Sequence, residues 1–259
     1  MPSIPNALVT SAPNVRIRVF ERGELSQLLK IFAEALPRDQ LSRSIYAAPR
    51  VEAFLSRLLD HPTFHAHEQL WGVEWEDKGF VGAAHTRLIA ECHHLNNYAV
   101  LPSFQRQGLG SQMMGHWESL ARFQHARRLS LDVALENAGA RRHYARFGFV
   151  GETRSYEYRL EGAPDLPEAA GVHVIDWPLA SASFEAYGFG RFVLALGQER
   201  YSVDLRVGEF RLGSYDGRLL AALQAMDPER GILVRTSDPL ENPAWAYTGT
   251  ILHMTKEMS

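Results

Sequence analysis

Cysteine is nearly missing from this chain: Cys92 is the single one in 259 residues, which excludes an intrachain disulfide and any zinc site built on several thiolates. Long apolar runs are missing too. No stretch approaches the ~18 apolar residues of a membrane-spanning helix, and the start MPSIPNALVTSAPNV has neither the basic opening nor the unbroken apolar run of a secretory leader. Nor is there an excess of one charge. Lys and Arg number 27 against 30 Asp and Glu, a net charge of −3 without a basic block, so neither nucleic acid nor an anionic membrane is expected as a partner. These absences predict a protein of a reducing, cytoplasmic compartment. What is present is an ordinary globular profile, 46% hydrophobic and 22% charged, at a length that suggests about two domains.

The most informative stretch runs from His94 to Gln112, HLNNYAVLPSFQRQGLGSQ. Leu95 to Val100 reads as a strand with a polar interruption and Pro102 ends it. Gly108 and Gly110 then lead into SQMMGHWESLARFQHA, whose apolar spacing is helical. A strand, a tight turn and a helix start thus meet at one point. Glycine lets backbone come close to a ligand, and the first amides of a helix have no partner inside it, so this junction suits phosphate oxygens. It lacks the Gly-Lys-Ser/Thr ending of a P-loop and the third glycine and later acid of a dinucleotide fingerprint.

A second stretch, RLSLDVALENAGARRHYARFGFVGETRSYEYRL from Arg128, reads as strand, asparagine, helix with a tyrosine, Gly-Phe and strand. Gln105, Gly108 and Gly110 resemble the Gln/Arg-x-x-Gly-x-Gly/Ala acetyl-CoA motif of the GNAT acyltransferase superfamily. Asn137, Ala140, Tyr144, Phe147, Gly148 and Phe149 resemble the end of the same family's core. The resemblance implies a mixed-sheet α/β fold and an N-acetyltransferase that passes an acetyl group directly from acetyl-CoA to an amine of a small molecule or peptide in a ternary complex. It also implies roles. Amides of Gln105, Arg106, Gln107, Gly108, Leu109, Gly110 and Ser111 would hold the diphosphate, with Arg106 adding charge at the rim. Backbone groups of Tyr98 and Val100 would pair with the pantetheine arm, an amide at Ala99 or Val100 would meet the thioester oxygen, and Asn137 would touch the pantetheine. Tyr144 would be the general acid, since a phenol stays protonated at neutral pH. Two of these residues also have purely structural readings, Tyr144 as a core aromatic and Asn137 as the cap of the helix starting near Ala138.

The general base stays open. His94 stands where relatives carry a carboxylate at the head of the central strand, and a neutral imidazole can take a proton near pH 7; Glu91 and a chain of waters are the alternatives. Strict alternation puts His94, Asn96 and Tyr98 on one face unless a β-bulge intervenes. His65 and His67 could share a strand face, but no further ligand follows at a familiar spacing, so no metal site is expected. Cys92 reads as a small packed residue. Two other classes of function remain open, a non-catalytic acyl-CoA sensor and an O-acyltransferase.

By composition, residues 1–13 read as a loose tail, 14–161 as the acyltransferase domain, 162–171 as a linker and 172–259 as a smaller β-rich α/β unit. In the first unit a strand at Val15–Val19, helices within Glu24–Leu36 and Pro49–His61, and strands Gln69–Glu74 and Phe80–Ile89 precede the central stretch, and a strand at Tyr156–Leu160 closes it. The segment with Asp39, Arg43 and Tyr46 would, in the resembling family, lie over the acceptor pocket. In the second unit Phe192–Leu196 and Tyr201–Leu212 predict a hairpin, Arg218–Met226 a helix, and Gly231–Thr236 and Trp245–Thr255 strands. That order is either a decayed second GNAT-like copy or a small sheet extending the first. Gly213-Ser214-Tyr215-Asp216-Gly217 stands where the cofactor motif would be, so no second acetyl-CoA site is expected. Packing, homodimer formation or closure of the acceptor cleft are the roles left to this unit. The net negative charge mildly favours a cationic amine or polyamine as acceptor.

Overall fold

Buried Val15 and Ile17 alternate with exposed Arg16, and this period of two lays down the first of twelve strands that form one mixed sheet. The computed structural model describes residues 14–61, 67–162 and 165–258. In chain order the elements are β1 (Val15–Val19), α1 (Leu25–Ala35), α2 (Arg38–Arg43), α3 (Val51–Asp60), β2 (Glu68–Trp75), β3 (Gly79–Ile89), β4 (Cys92–Val100), α4 (Leu109–Phe123), β5 (Arg128–Ala134), α5 (Ala138–Arg146) and β6 (Val150–Leu160). Then follow β7 (Val172–Ile175), α6 (Trp177–Tyr187), β8 (Phe189–Leu196), β9 (Glu199–Arg206), β10 (Glu209–Leu212), α7 (Gly217–Met226), β11 (Gly231–Thr236) and β12 (Trp245–Glu257).

The strand order is β1-β2-β3-β4-β5-β12-β6-β11-β10-β9-β8-β7. It reads the same from either end when β1 to β6 are matched with β7 to β12. The second half is therefore a second copy of the first half's topology, with one helix, α6, where the first has α1 to α3, and without a counterpart of α5 among the described residues. Each half lends its last strand to the other: β12 pairs antiparallel with β5, β6 pairs antiparallel with β11, and the two lent strands pair with each other at the centre. Each half keeps one parallel pair, β4 with β5 and β10 with β11.

Three expectations need correction. β7 and α6 were not foreseen, because β7 is a short edge strand with Val174 exposed, and α6 has only Ala180 buried while Trp177 and Leu179 face solvent; neither carries a clean apolar period. The single strand expected over Tyr201–Leu212 is two, β9 and β10, turned at Gly208, where φ is +76°. β6 begins at Val150 rather than Tyr156, since its first five residues pair with β12 without burying a face. The connecting segment is also partly docked: Leu166 packs on the second half's core.

Two cores flank the first half of the sheet. Beneath α4 and α5 lie Trp71, Met113, Trp117, Leu131 and Phe149; on the other face Leu28, Phe32, Leu55 and Phe80 seat α1 and α3. The second half has its own cluster around Phe192, Phe210, Leu223 and Val234. Within the α4-side core the indole N–H of Trp117 donates to His93 Nδ1 at 2.6 Å, a contact that needs the imidazole unprotonated there. Burial pushes His93 and His116 from 6.5 down to about 4. Between those values the unfolded chain binds more protons than the folded one, so stability is full above pH 6.5 and is lost as pH falls towards 4. The expected result is a urea midpoint that falls across that window, with a shallower fall in His93→Asn; an unchanged slope would show that His93 carries none of it.

Candidate active site

The parallel pairing of β4 with β5 runs only from Cys92↔Arg128 to Leu95↔Leu131. Beyond Leu95 the strand stays on β3 as far as Val100↔Gly82 and parts from β5. Past the end of β4 the Leu101 N–H donates to Val81 O at 2.8 Å. By alternation Ala99 turns its backbone groups to β3, and Tyr98 and Val100 turn theirs into the gap. The register with β3 shifts between His85↔Asn97 and Thr86↔Leu95, so Asn96 is the extra residue of a β-bulge. His93 and Leu95 accordingly face α4, Asn96 and Asn97 both reach the opposite side, and Tyr98 returns to the α4 side. His94 and Tyr98 do not share a face.

At the end of β4 the chain turns through two left-handed residues, Arg106 at φ +61° and Gly108 at φ +82°, before α4 begins at Leu109. Gly108 is the N-cap and offers no side chain to the helix end. Among the described residues no hydrogen bond is made by the amides from Arg106 to Ser111, and Arg106, Gln107, Gly108 and Ser111 are exposed while Leu109 is buried under α4. A Cβ on Gly110 would stand 2.6 Å from Tyr98 Oη, so only glycine fits there. The Gln105 side chain donates to Val100 O at 2.9 Å, bracing the turn against the strand.

Tyr144, on α5, is 9% exposed and packed by Phe149 and His143. Its hydroxyl has no hydrogen-bond partner among the described residues, and burial pushes the phenol up to about 12. Tyr98, a neighbour of Tyr144, lies parallel to His143, with Oη 3.3 Å from Nε2. Asn137 Oδ1 accepts the Ala140 N–H at 3.0 Å and caps α5. His94 Nδ1 is 2.9 Å from Ser130 Oγ, and burial pushes it down to about 4. Glu91 is exposed and paired with Arg127 at 3.2 Å.

On the opposite face, below the bulge, lies a cavity of about 580 Å³. Asp39, Arg43 and Tyr46 line it from α2 and the turn after it, Asn96 and Asn97 from the bulge, and Phe189, Asp204, Arg206 and Arg211 from the second half. Its wall is mixed in charge. Arg43, Arg87, Arg191, Arg206, Arg211 and Arg235 face Asp39, Glu68, Asp132, Glu157 and Asp204, which gives no local counterpart to the cationic preference read from the net charge. Buried Glu157 accepts from both Arg43 and Arg235 at 2.8 Å, joining α2 to the second half.

Sequence reasoning missed Glu68, His85 and Arg87 on this wall; the signal was the polar pair His85 and Arg87 inside the apolar run FVGAAHTRLI. His85 Nε2 lies 2.7 Å from Glu68 Oε1, and Nδ1 is hydrogen-bonded to Tyr46 Oη. Burial alone would raise the Glu68 pKa, but the hydrogen bond from His85 and the charge of Arg87 outweigh it and hold the carboxyl below its usual range. Of the His65 and His67 pair, His65 lies outside the described residues. Among the described residues no group of three His, Cys, Asp or Glu is placed to hold a metal ion, and no helix is long and apolar enough to cross a membrane.

The corresponding place in the second half is built differently. All four residues of β10 pair with β11, leaving no open edge. Asp216 caps α7 by accepting the Arg218 N–H at 2.9 Å, and Pro167 packs on Gly217 at the helix start.

Among the described residues an open strand edge beside a helix start with bare amides occurs in one half only, and residues 27–149, which contain it, match the model of the Acetyltransferase (GNAT) family. This segment is a GNAT acetyltransferase domain. Three solved structures share the fold of almost the whole chain. One is a protein from Pyrococcus horikoshii with 16% identity over 97% of this chain and 92% of that one, TM-score 0.64. The second is a GCN5-related N-acetyltransferase from Sphaerobacter thermophilus with 12% identity over 96% and 97%, TM-score 0.63. The third is a tandem GNAT protein from the clavulanic acid biosynthesis pathway with 17% identity over 94% and 98%, TM-score 0.62. No protein with a curated description matches in sequence. Members of the GNAT family use acetyl-CoA, and the bare amides at Gly108 and the open edge at Tyr98 and Val100 fit its diphosphate and its amide-bearing arm.

Proposed function

We propose that the chain is an acetyl-CoA-dependent N-acetyltransferase acting by direct transfer to an amine in a ternary complex. The observation that carries this reading is the conjunction, in one half of the sheet, of bare amides after Arg106, an open edge on β4 and a buried phenol without an internal partner. When bound, acetyl-CoA supplies an acetyl group activated as a thioester. Amides from Arg106 to Ser111 hold the diphosphate, Arg106 adds charge at the rim, and the Tyr98 and Val100 backbone receives the pantetheine. The Ala99 or Val100 amide meets the thioester oxygen. Gln105 acts through its brace on Val100, and Asn137 has its amide nitrogen left for the arm while its oxygen caps α5. As the amine nitrogen bonds to the acyl carbon and the C–S bond breaks, Tyr144 gives its proton to the sulfur.

Residues 14–161 carry this chemistry. Residues 172–259 form the far wall of the acceptor cavity and take no coenzyme A, because Asp216 and Pro167 occupy their helix start. The mixed wall favours a polar acceptor that carries both donors and acceptors, in a cytoplasmic setting. The test is release of CoA thiol from acetyl-CoA with a panel of amines, aminoglycosides, amino acids and peptide N-termini, with products read by mass. An acetylated product stable to hydroxylamine supports transfer to nitrogen. A hydroxylamine-labile product would make the chain an O-acyltransferase, and CoA binding without any product would make it a sensor.

A further inference from the structure

We propose that Tyr46, His85 and Glu68 form the proton relay that deprotonates the acceptor amine, with Tyr46 Oη as the atom that takes the proton; this rests on the N-acetyltransferase reading. The direction of the chain follows from its contacts. Glu68 Oε1 lies 2.7 Å from His85 Nε2 and accepts its N–H, which leaves Nδ1 as an acceptor for the Tyr46 hydroxyl. The hydroxyl oxygen accepts from the Asn97 side chain and keeps its second lone pair for an incoming N–H.

Placement supports the same reading. All three residues line the cavity, and the Asn97 side chain, at the bulge where β4 has left β5, stands beside the Tyr46 phenol. The relay therefore ends where the gap between the strands opens into the cavity. The alternatives lie elsewhere. His94 is bonded to Ser130 behind the wall, and Glu91 sits before the start of β4, six residues from Asn97 and so roughly 20 Å away along the strand. A link needed only for packing would be expected in both halves. The second half has no histidine on β8 or β9, where Arg191, Asp204 and Arg206 stand instead.

The step balances within the reaction. The amine nitrogen bonds to the acyl carbon and gives a proton to Tyr46 Oη, while the hydroxyl proton of Tyr46 passes to His85 Nδ1. The imidazolium so formed is stabilised by the Glu68 carboxylate, the C–S bond breaks, and the sulfur takes a proton from Tyr144. Amine and thioester become amide and thiol, and solvent later takes the extra proton from His85 and returns one to Tyr144. Tyr46 is the catalytic residue here, and His85 and Glu68 are positioning residues acting through it. The titratable groups facing the relay are Arg87 from β3, which is charged, and His94 from β4, which burial keeps neutral.

The experiment compares wild type with Tyr46→Phe, His85→Gln and Glu68→Gln, using an acceptor found by the amine panel. Phenylalanine keeps the ring packing of Tyr46 on Phe32, whose centroid is 4.5 Å away, so this variant retains the fold. The expected result is a fall in kcat of about 10²-fold or more in each variant, with KM for acetyl-CoA and Kd for CoA unchanged. A readout independent of turnover is the ¹⁵N spectrum of His85 in the free protein. The Nε2–H tautomer is expected in wild type, and Tyr46→Phe should move only the Nδ1 signal. Wild-type kcat in Tyr46→Phe and His85→Gln, or an Nδ1–H tautomer, would overturn the relay and leave the acetyltransferase standing. Wild type that binds CoA yet acetylates no amine would overturn the acetyltransferase, and the relay with it.

Discussion

Tyr144→Phe is expected to lower kcat by about 10²- to 10⁴-fold, roughly 3–5 kcal/mol of barrier, with the Kd for CoA unchanged. The residue is 9% exposed and its ring is held by Phe149 and His143, contacts that phenylalanine keeps. Only the hydroxyl is removed, and no group among the described residues loses a partner with it. In the proposed reaction that hydroxyl protonates sulfur. Burial pushes the phenol up to about 12, so it is present as the acid between about pH 6 and 9, where the variant's deficit should not depend on pH. The measurement is single-turnover thiol release beside calorimetric CoA binding. A kcat within about threefold of wild type would leave Tyr144 as a core aromatic and the thiolate departing unaided.

The turn at Gly108 was legible in sequence because backbone chemistry dictates it. The left-handed backbone before the helix favours glycine at 108 and the close approach to Tyr98 requires it at 110, and a glycine is visible as a letter. Tyr144 and Asn137 were singled out through their fixed offsets from that turn, and their roles belong to the proposal. The cavity wall was not, because it is assembled from side chains distant in sequence: Glu157 meets Arg43 across 114 residues and Arg235 across 78. The bulge at Asn96 also escaped a strict period of two, which cannot show where one residue has been added. Least legible was the exchange of β6 and β12. Local pattern shows that a segment is a strand, and which neighbour it pairs with is decided by the two halves folding together.

Gly108→Asp is expected to weaken CoA binding by at least about a hundredfold, roughly 2.7 kcal/mol, while the free protein melts no lower than wild type. The substitution places at this helix start the residue type that caps α7 in the second half, although Asp216 does so from extended backbone, φ −141°, and position 108 is left-handed. Asp is among the few residues that tolerate a left-handed backbone, and a Cβ at position 108 meets nothing within 4 Å. A carboxylate at a helix start is also favourable in itself, worth about 0.5–1 kcal/mol through the bare amides and the helix dipole. The fold therefore loses little, and the same charge that settles the helix end repels a diphosphate from it. Gly108→Asn separates the two effects, because it fills the same space without charge and should cost about tenfold or less. Calorimetric titration with CoA and a ligand-free melt of each variant decide the matter. If Gly108→Asp binds CoA as wild type does, the diphosphate does not rest on these amides; if Asn and Asp lose affinity equally, occupancy of the turn rather than charge excludes the ligand.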